Sequence, residues 1–374
     1  MRILVAHLVG LERSGGMSRL MGRAHDELER AGHHVTYLTA DDVAPAARGR
    51  AGRALFPWLV RRAVVEATHR GQPYDIVNVH EPHGAAVAAL RRGQNGTAVV
   101  AMTHGVEQRG WELGLTEAAI RPSLKTRCVY PVSSLWQSRI ALKRADHVIC
   151  LNAQDRDFLR QRFGIEADNI TRVVPGADAV FGEAAPKRSY GVPRRLLFAG
   201  TWVPRKGTHL LAAAYEQLLA RRVKLDLDVL GAGVTAECVR AAFPPAIRDR
   251  VRVIATRSDS ETAAAMAAAD IFVLPSLFEG TPLTLIEAMW SGLPVVSTAT
   301  AGMKDVVRHN LNGLLVPSGD VEALTQAISD LARDPGRCRD LGASAHATAV
   351  EHYTWARTAA SFEAAYLAAK ARHG

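Results

Sequence analysis

The sequence predicts an α/β protein built from two doubly wound domains, each with its own parallel sheet. With 374 residues, the chain is too long for one hydrophobic core and suits two domains of ordinary size. Its apolar runs are short, β-branched and continuous rather than alternating, which is typical of strands buried on both faces. Helix-length segments separate these runs, as crossover connections between parallel strands require.

The strands of the first domain are predicted at residues 2–9, 34–39, 76–80, 98–103, 147–151 and 171–174. The pattern then breaks at the turn residues Pro175 and Gly176, so the first domain spans residues 1–176.

A second series of strands is predicted at residues 195–200, 225–230, 251–254, 271–274, 294–297 and 313–316, which gives a second domain of residues 177–355. Residues 356–374 are rich in Ala and predict a helix with Phe362 and Tyr366 on one face. We expect this helix to pack back toward the first domain. In open parallel sheets, ligands bind beyond the carboxyl ends of the strands, so we expect the functional residues in the strand-end loops.

The composition is typical of a globular protein, with 48% hydrophobic and 22% charged residues. Four scattered cysteines form no CxxC pair, so we expect no disulfide framework or thiolate metal site, and a reducing, cytoplasmic location. The apolar run at the N-terminus is only about seven residues long, which favours a first strand over a signal peptide. No stretch reaches the roughly 18 apolar residues that cross a bilayer.

The net charge is +9, and the excess lies in residues 1–176, where 24 Lys and Arg face 17 Asp and Glu. Such a field favours anionic partners. Residues 48–62 mix Arg with Phe56 and Trp58, which fits peripheral contact with an anionic membrane, on the inner face of the plasma membrane, or a solvated helix beside a mobile loop. Nucleic-acid binding is not expected, because the Arg residues are dispersed without a recognition motif.

A strand-loop-helix junction after Leu274 carries the most informative motif. Thr281 is a good N-cap, and Pro282 suits the first helical position. The backbone N–H groups of Leu283 and Thr284 are then expected to be free at a helix N-terminus, where phosphate binds well.

Two carboxylates belong to this junction, Glu279 on the loop and Glu287 in the helix, eight residues apart. They can address two parts of one elongated ligand. The Glu-x7-Glu motif resembles the signature of the family 4 retaining glycosyltransferases, whose GT-B fold has two Rossmann-like domains facing each other across a cleft. The resemblance implies an acceptor-binding first domain and a nucleotide-sugar-binding second domain. It also implies that Glu279 contacts donor-sugar hydroxyls and that Glu287 holds the nucleotide ribose.

Arg205 and Lys206 lie in a turn before the helix that begins near Thr208. Cations at a helix start oppose the helix dipole, so fold stability does not explain them, whereas a bound diphosphate does. The family loop reads Gly-Arg, several residues, then Lys-Gly, and both basic side chains grip the donor diphosphate. Lys206 matches the Lys, but Thr201 occupies the Arg position. Three alternatives follow: Arg205 substitutes, donor affinity is weak, or the donor differs.

Strand-end loops of the first domain carry further candidates. Paired glycines let backbone approach a phosphate closely, and by resemblance Gly16 touches the donor phosphate or the acceptor, with Gly15 beside it. The family commonly has a His near the anomeric carbon, a role that the resemblance gives to His104. His80 and Glu81 are acceptor-side candidates. We predict no metal site, because the HxxH at residues 80–83 has no evident third ligand.

The DxD at Asp226 and Asp228 is a metal-nucleotide motif in another glycosyltransferase fold. Here it lies at the start of a predicted strand, and period-2 polarity explains it better.

The resemblance covers nearly the whole chain and predicts an enzyme of polysaccharide or glycoconjugate biosynthesis. It would transfer a sugar, with retention, from a UDP- or GDP-type donor to a hydroxyl of a glycan, lipid-linked or small-molecule acceptor. Lys206, Arg205 and the helix N-terminus would neutralise the leaving diphosphate, so no cofactor or metal is expected. A sugar-nucleotide epimerase or phosphorylase on the same fold and a catalytically silent sugar-nucleotide-binding module are the alternatives.

Overall fold

The computed structural model describes residues 1–8, 15–39, 42, 50–89, 96–255 and 258–373. The chain divides into two compact units. The first unit joins Met1–Val174 to the C-terminal Trp355–Gly374, and the second unit is Pro175–Thr354. Each unit contains a six-stranded sheet whose paired strands are all parallel.

The sheet of the first unit is formed by β1 (Arg2–Ala6), β2 (His34–Leu38), β3 (Ile76–His80), β4 (Ala98–Met102), β5 (His147–Cys150) and β6 (Ile170–Arg172). The strand order is β2-β1-β3-β4-β5-β6. The direction of winding therefore reverses between β1 and β3, and such a reversal leaves a crevice at the carboxyl ends of these two strands.

The helices described in this unit are α1 (Gly16–Arg30), α2 (Arg50–His69), α3 (Ala85–Ala88), α4 (Glu107–Thr116), α5 (Leu124–Tyr130), α6 (Trp136–Arg144), α7 (Ala153–Phe163) and the C-terminal α15 (Trp355–His373). Local sequence determines the ends of α7: the Asn152 side chain accepts the Asp155 N–H, and Gly164 ends the helix at φ 67°. A π-helical turn, Pro131–Leu135, connects α5 directly to α6.

Helix α15 packs on α1 and on β3 to β6 of the first unit. Phe362 and Tyr366 are fully buried on its inner face. The Tyr366 hydroxyl accepts a hydrogen bond from the Asn78 amide at 2.8 Å and lies 3.0 Å from His25 Nε2. The end of the chain is thus part of the core of the unit in which the chain begins.

The second unit repeats the architecture with β7 (Arg195–Ala199), β8 (Asp226–Leu230), β9 (Val251–Ile254), β10 (Ile271–Leu274), β11 (Val295–Thr298) and β12 (Leu314–Val316). Its described helices are α8 (Thr208–Ala220), α9 (Ala236–Arg240), α10 (Asp259–Ala268), α11 (Leu283–Trp290), α12 (Ala301–Val306), α13 (Val321–Arg333) and α14 (Pro335–His352). The strand order is β12-β11-β10-β7-β8-β9, so winding reverses between β7 and β10.

The continuous apolar strands are explained by burial on both faces: every residue of β3, β4, β10 and β11 is buried. Two parallel sheets with helical crossovers confirm the predicted fold class. Among the described residues, no helix combines the length and apolarity needed to span a bilayer.

Some predicted boundaries were wrong. The first strand was expected to reach Val9 but ends at Ala6, where pairing with Leu38 ends. Helix α11 begins at Leu283 with Pro282 as its N-cap residue, one position later than predicted. Pro282 has an extended backbone (ψ 122°), so Pro282 occupies the N-cap position and Thr281 lies one residue before it.

Replacing Tyr366 by Phe is expected to lower the unfolding free energy of the first unit by about 1–3 kcal/mol, because Asn78 and His25 lose a buried partner. Urea denaturation measures this change. The neighbouring Leu367 is 54% exposed, so Leu367→Ala is the matched control and should change stability by less than about 0.5 kcal/mol. Equal midpoints for both variants would show that the buried hydrogen bonds contribute nothing.

Candidate active site

Two loops of the second unit meet where the strand order reverses. Strands β7 and β10 are neighbours, so the loop after Ala199 lies beside the loop after Leu274. A backbone hydrogen bond from Leu277 N to the Arg205 carbonyl, 2.9 Å long, joins the loops. The sheet therefore brings together two sequence motifs that are more than 70 residues apart.

Glu279 binds both basic residues of the other loop. Its Oε1 lies 2.8 Å from Lys206 Nζ, and its Oε2 lies 3.1 Å from Arg205 Nη1. Ser276 donates its hydroxyl to the same carboxylate at 3.1 Å, and Arg205 also donates to the Phe278 carbonyl at 2.8 Å. The cluster formed by Arg205, Lys206 and Glu279 is called the ion cluster below.

Burial and charge oppose each other at Glu279. Burial alone would raise the pKa of this carboxyl, but Lys206 first and Arg205 second outweigh it and hold the pKa below its usual value. The side chains of Glu279 and Lys206 are 8% and 13% exposed, whereas that of Arg205 is 43% exposed. Arg205 is therefore the cation that solvent or a ligand reaches most easily.

Two glycines allow the loop after β10 to pack closely on its neighbours. Gly207 has φ 69°, and a Cβ there would lie 1.9 Å from the Pro275 carbonyl oxygen. A Cβ on Gly302, at the start of α12, would lie 2.1 Å from the Gly280 carbonyl oxygen. Any larger residue at either position would push this loop away, so the ion cluster depends on both glycines.

Helix α11 begins directly after this loop. Its N-cap residue, Pro282, contributes no side-chain hydrogen bond, and the first N–H groups of a helix, here those of Leu283 and Thr284, have no acceptor within it. The Thr284 hydroxyl is already used, because it donates to the Ala199 carbonyl at 3.1 Å. Glu287 is 1% exposed on the same helix. The helix start and the ion cluster thus form one polar region at the carboxyl ends of β7 and β10.

The candidates of the first unit include a histidine cluster. His104, after β4, places Nε2 2.9 Å from Nδ1 of His80, the last residue of β3. The His7 ring, after β1, lies 5.1 Å from that of His80. Burial is the main cause that lowers the pKa of His104 to about 3 and the pKa of His80 well below its ordinary value. The imidazoles of His80 and His104 are therefore neutral at physiological pH.

Glu81 has the opposite environment to Glu279. Ser138 donates its hydroxyl to Glu81, and no cation lies among the causes that shift its pKa. Burial, and secondarily the nearby Glu107, raise the pKa of Glu81 to about 8. Glu107 accepts a hydrogen bond from the Tyr130 hydroxyl, and burial raises its pKa as well. Glu81 is mostly protonated at neutral pH.

The remaining candidates are placed as follows. Gly15 is the N-cap residue of α1 and Gly16 its first residue, while residues 9–14 before them lie outside the described part. Part of segment 48–62 is likewise outside it. Asp228 of the DxD is 2% exposed and paired with Arg252 at 2.6 Å, so it stabilises the strand region.

Two family models match the chain in tandem. Residues 14–181 match Glycosyltransferase Family 4, and residues 193–334 match Glycosyl transferases group 1. Together they cover most of both units. The chain belongs to glycosyltransferase family 4.

Individual proteins agree with this assignment. The glycosyltransferase is 29% identical to the MMP alpha-(1->4)-mannosyltransferase of Mycolicibacterium hassiacum, over 84% of this chain and 75% of the relative. Sucrose-phosphate synthase from Thermosynechococcus elongatus superposes with TM-score 0.75 and 22% identity, covering 97% and 98% of the two chains. Anabaena HepE in complex with UDP-glucose superposes with TM-score 0.67 and 18% identity, covering 97% and 98%. These structures share the GT-B fold.

The structure brings together Arg205, Lys206 and Glu279 in one unit, and His80 and His104 in the other. Sequence reasoning missed several contacting residues: Ser276, Phe278 and Gly302 at the ion cluster, and His7, Glu107 and Ser138 in the first unit. The position of Ser276 just after a predicted strand was visible in the sequence, whereas His7 lay inside a strand that was predicted to continue to residue 9. The others lie on helices or act through backbone, and nothing in the sequence distinguishes them.

The variant Glu81→Gln should change how the stability of the glycosyltransferase depends on pH. The folded pKa of Glu81 is raised, so its contribution is fully present below the unfolded value of 4.5 and is lost as pH rises through about 8. Between these values, wild-type stability should fall relative to Glu81→Gln by up to about 1.4 kcal/mol per pH unit. Urea denaturation at pH 5, 6, 7 and 8 gives the difference curve.

Groups that do not interact with Glu81 cancel in this difference. A flat difference curve would mean that Glu81 ionises normally in the folded protein.

Proposed function

We propose that the glycosyltransferase moves a sugar from a nucleoside diphosphate sugar to an acceptor hydroxyl with retention of the anomeric configuration. The observation that carries this proposal is the ion cluster next to the N-terminus of α11. Two cations and a helix N-terminus converge at the switch point of the second sheet, which is where a diphosphate would be bound.

Arg205 and Lys206 bind the donor diphosphate in this proposal. The family Arg position is occupied by Thr201, and Arg205 takes over its role. The Arg205 guanidinium donates a hydrogen bond to the Phe278 carbonyl, and the side chain remains 43% exposed. Both cations are paired with the Glu279 carboxylate. An incoming diphosphate would therefore displace this carboxylate from them. HepE, which binds UDP and UDP-glucose, supports a UDP-type donor, with a GDP-type donor as the alternative.

Glu279, once released from the cations, orients the sugar hydroxyls, and Glu287 holds the ribose. The bond from the anomeric carbon to the diphosphate breaks, and the bond to the acceptor oxygen forms on the same face. A leaving phosphate oxygen takes the acceptor proton. Lys206, Arg205 and the helix N-terminus neutralise the charge on the leaving group, so no metal or other cofactor is required.

His104 lines the reacting carbon in this proposal. A neutral imidazole does not repel the positive charge that develops there, and burial keeps His104 neutral. His80, Glu81 and Gly15 are assigned to the acceptor, and Gly16 is assigned to the donor diphosphate. The acceptor is a glycan, a lipid-linked sugar or a small molecule, and the first two fit cytoplasmic glycoconjugate biosynthesis at a membrane surface.

A silent sugar-nucleotide-binding module and an epimerase are the competing functions. Product analysis separates them. Transfer yields a glycoside whose anomeric configuration is read by NMR, an epimerase yields a changed sugar without an acceptor, and a silent module yields no product.

Nucleotide binding should require Lys206 and Glu287. We expect one of UDP, GDP, ADP and TDP to stabilise the wild-type protein in a thermal-shift and calorimetric screen. Lys206→Ala and Glu287→Ala should each weaken this binding by at least about tenfold, since each removes a charge-assisted contact. Lys224→Ala is the control, because Lys224 is exposed before β8. Wild-type protein that binds no nucleotide would contradict the proposed donor site.

Glu279→Gln should separate donor binding from turnover. The variant lacks the carboxylate that competes with the diphosphate, so affinity for the nucleoside diphosphate alone should rise, on the order of tenfold. Turnover should fall, because the sugar loses its orienting group. Calorimetry and a product assay measure the two effects. Weaker diphosphate binding by Glu279→Gln would show that the carboxylate organises the two cations instead of competing for them.

A further inference from the structure

A helical segment of the first unit exposes four large apolar side chains. It runs from Arg121 through α5, the π-helical turn and α6 to Arg144. Leu124 is 78% exposed, Val132 75% and Trp136 59%. These three side chains, with Val129 and the six Lys and Arg residues of the segment, are called the cationic apolar face.

The segment buries its other side. Leu135, Ser138, Ala141 and Leu142 are buried against the unit. On α6, the exposed Trp136 is followed by exposed cations three and seven residues later, Arg139 and Lys143, which lie on the same helix face. The whole of α5 is exposed except Tyr130, which is half-buried. Apolar and cationic side chains are therefore presented to solvent together.

Charge in this part of the chain has one sign. Residues 118–145 contain six Lys and Arg and no Asp or Glu, whereas the whole chain has a net charge of +9. All six cations are exposed. Within the described residues, none of them forms an ion pair with a carboxylate. The segment thus carries most of the unbalanced charge of the protein and leaves it open to an external anion.

We propose that the cationic apolar face docks the enzyme on an anionic lipid bilayer. Trp, Leu and Val side chains enter the boundary between headgroups and acyl chains, while Lys and Arg bind lipid phosphates. A second copy of the chain is a poorer occupant, because two such faces would bring two sets of six cations together. A neutral protein surface would leave the cations without partners.

Helix α2 extends this surface. Helix α3 packs against both α2 and α6, which places these two helices on the same side of the first sheet. On α2, Leu55 is 51% and Trp58 58% exposed, and the Arg61 guanidinium lies 5.8 Å from the centre of the Trp58 ring. A bilayer contacted by α5 and α6 would thus find further Trp and Arg side chains nearby.

The inner side of the same segment reaches the acceptor-side residues. Ser138 donates to Glu81 and Tyr130 donates to Glu107. Docking would therefore hold these carboxyl groups close to the membrane surface, which favours an acceptor carried by a lipid. This last step rests on the proposed function, whereas docking itself does not.

The test is co-sedimentation of the full-length protein with vesicles. Vesicles of phosphatidylcholine with 30% phosphatidylglycerol should bind the protein, pure phosphatidylcholine vesicles should bind it weakly, and about 0.5 M NaCl should reduce binding. The apolar variant Leu124→Ser/Val132→Ser/Trp136→Ser and the charge variant Lys125→Glu/Arg139→Glu should each bind at least about tenfold more weakly. The matched control is Val192→Ser/Leu311→Ser/Lys224→Glu, at exposed positions of the second unit.

Nucleotide binding is measured on every variant and should not change, which separates docking from donor binding. The proposal is overturned if wild-type protein ignores anionic vesicles or if the charge variant, folded and nucleotide-competent, binds them as wild type does. It is also overturned if light scattering shows a dimer that the apolar variant dissociates, because the face would then bind a second copy. Loss of nucleotide binding with vesicle binding intact would contradict the proposed function alone.

Discussion

The hydrogen-bonded pairing of β7 with β10 is the constraint on which the ion cluster depends. These parallel strands are neighbours although α8, β8, α9, β9 and α10 lie between them in the chain, so their carboxyl ends present two distant loops to each other. Gly207 and Gly302 then let the loop after β10 lie in backbone contact with both neighbours. Without the reversal of winding at this point, Lys206 and Glu279 would lie on unrelated parts of the surface.

The electrostatics of the ion cluster follow from that placement. A carboxylate as buried as Glu279 would normally be protonated, and it stays ionised because two cations face it. The same two cations are the groups that a diphosphate would need. Because both cations are paired with Glu279, the site contains no unpaired buried charge in the absence of ligand. An anionic ligand would replace these ion pairs with its own.

The first unit provides a contrasting environment at the same edge of its sheet. His80 and His104 are neutral and Glu81 is mostly protonated, because burial removes water without supplying an opposite charge. Positive charge is instead concentrated on the outer helical segment, residues 121–144. The unit thus keeps these three buried side chains uncharged while its outer helical segment exposes six cations.

The sequence by itself determined the two parallel sheets, the order of the motifs and the family, because burial period, turn residues and short motifs are local properties. It did not determine the start of α11, since the sequence favours Thr281 as N-cap residue whereas the structure has Pro282 in that position. It could not show that Arg205 and Glu279 pair, or that His7, His80 and His104 meet. Those contacts join residues 24 to 74 positions apart, and their existence depends on strand order, which no local pattern encodes.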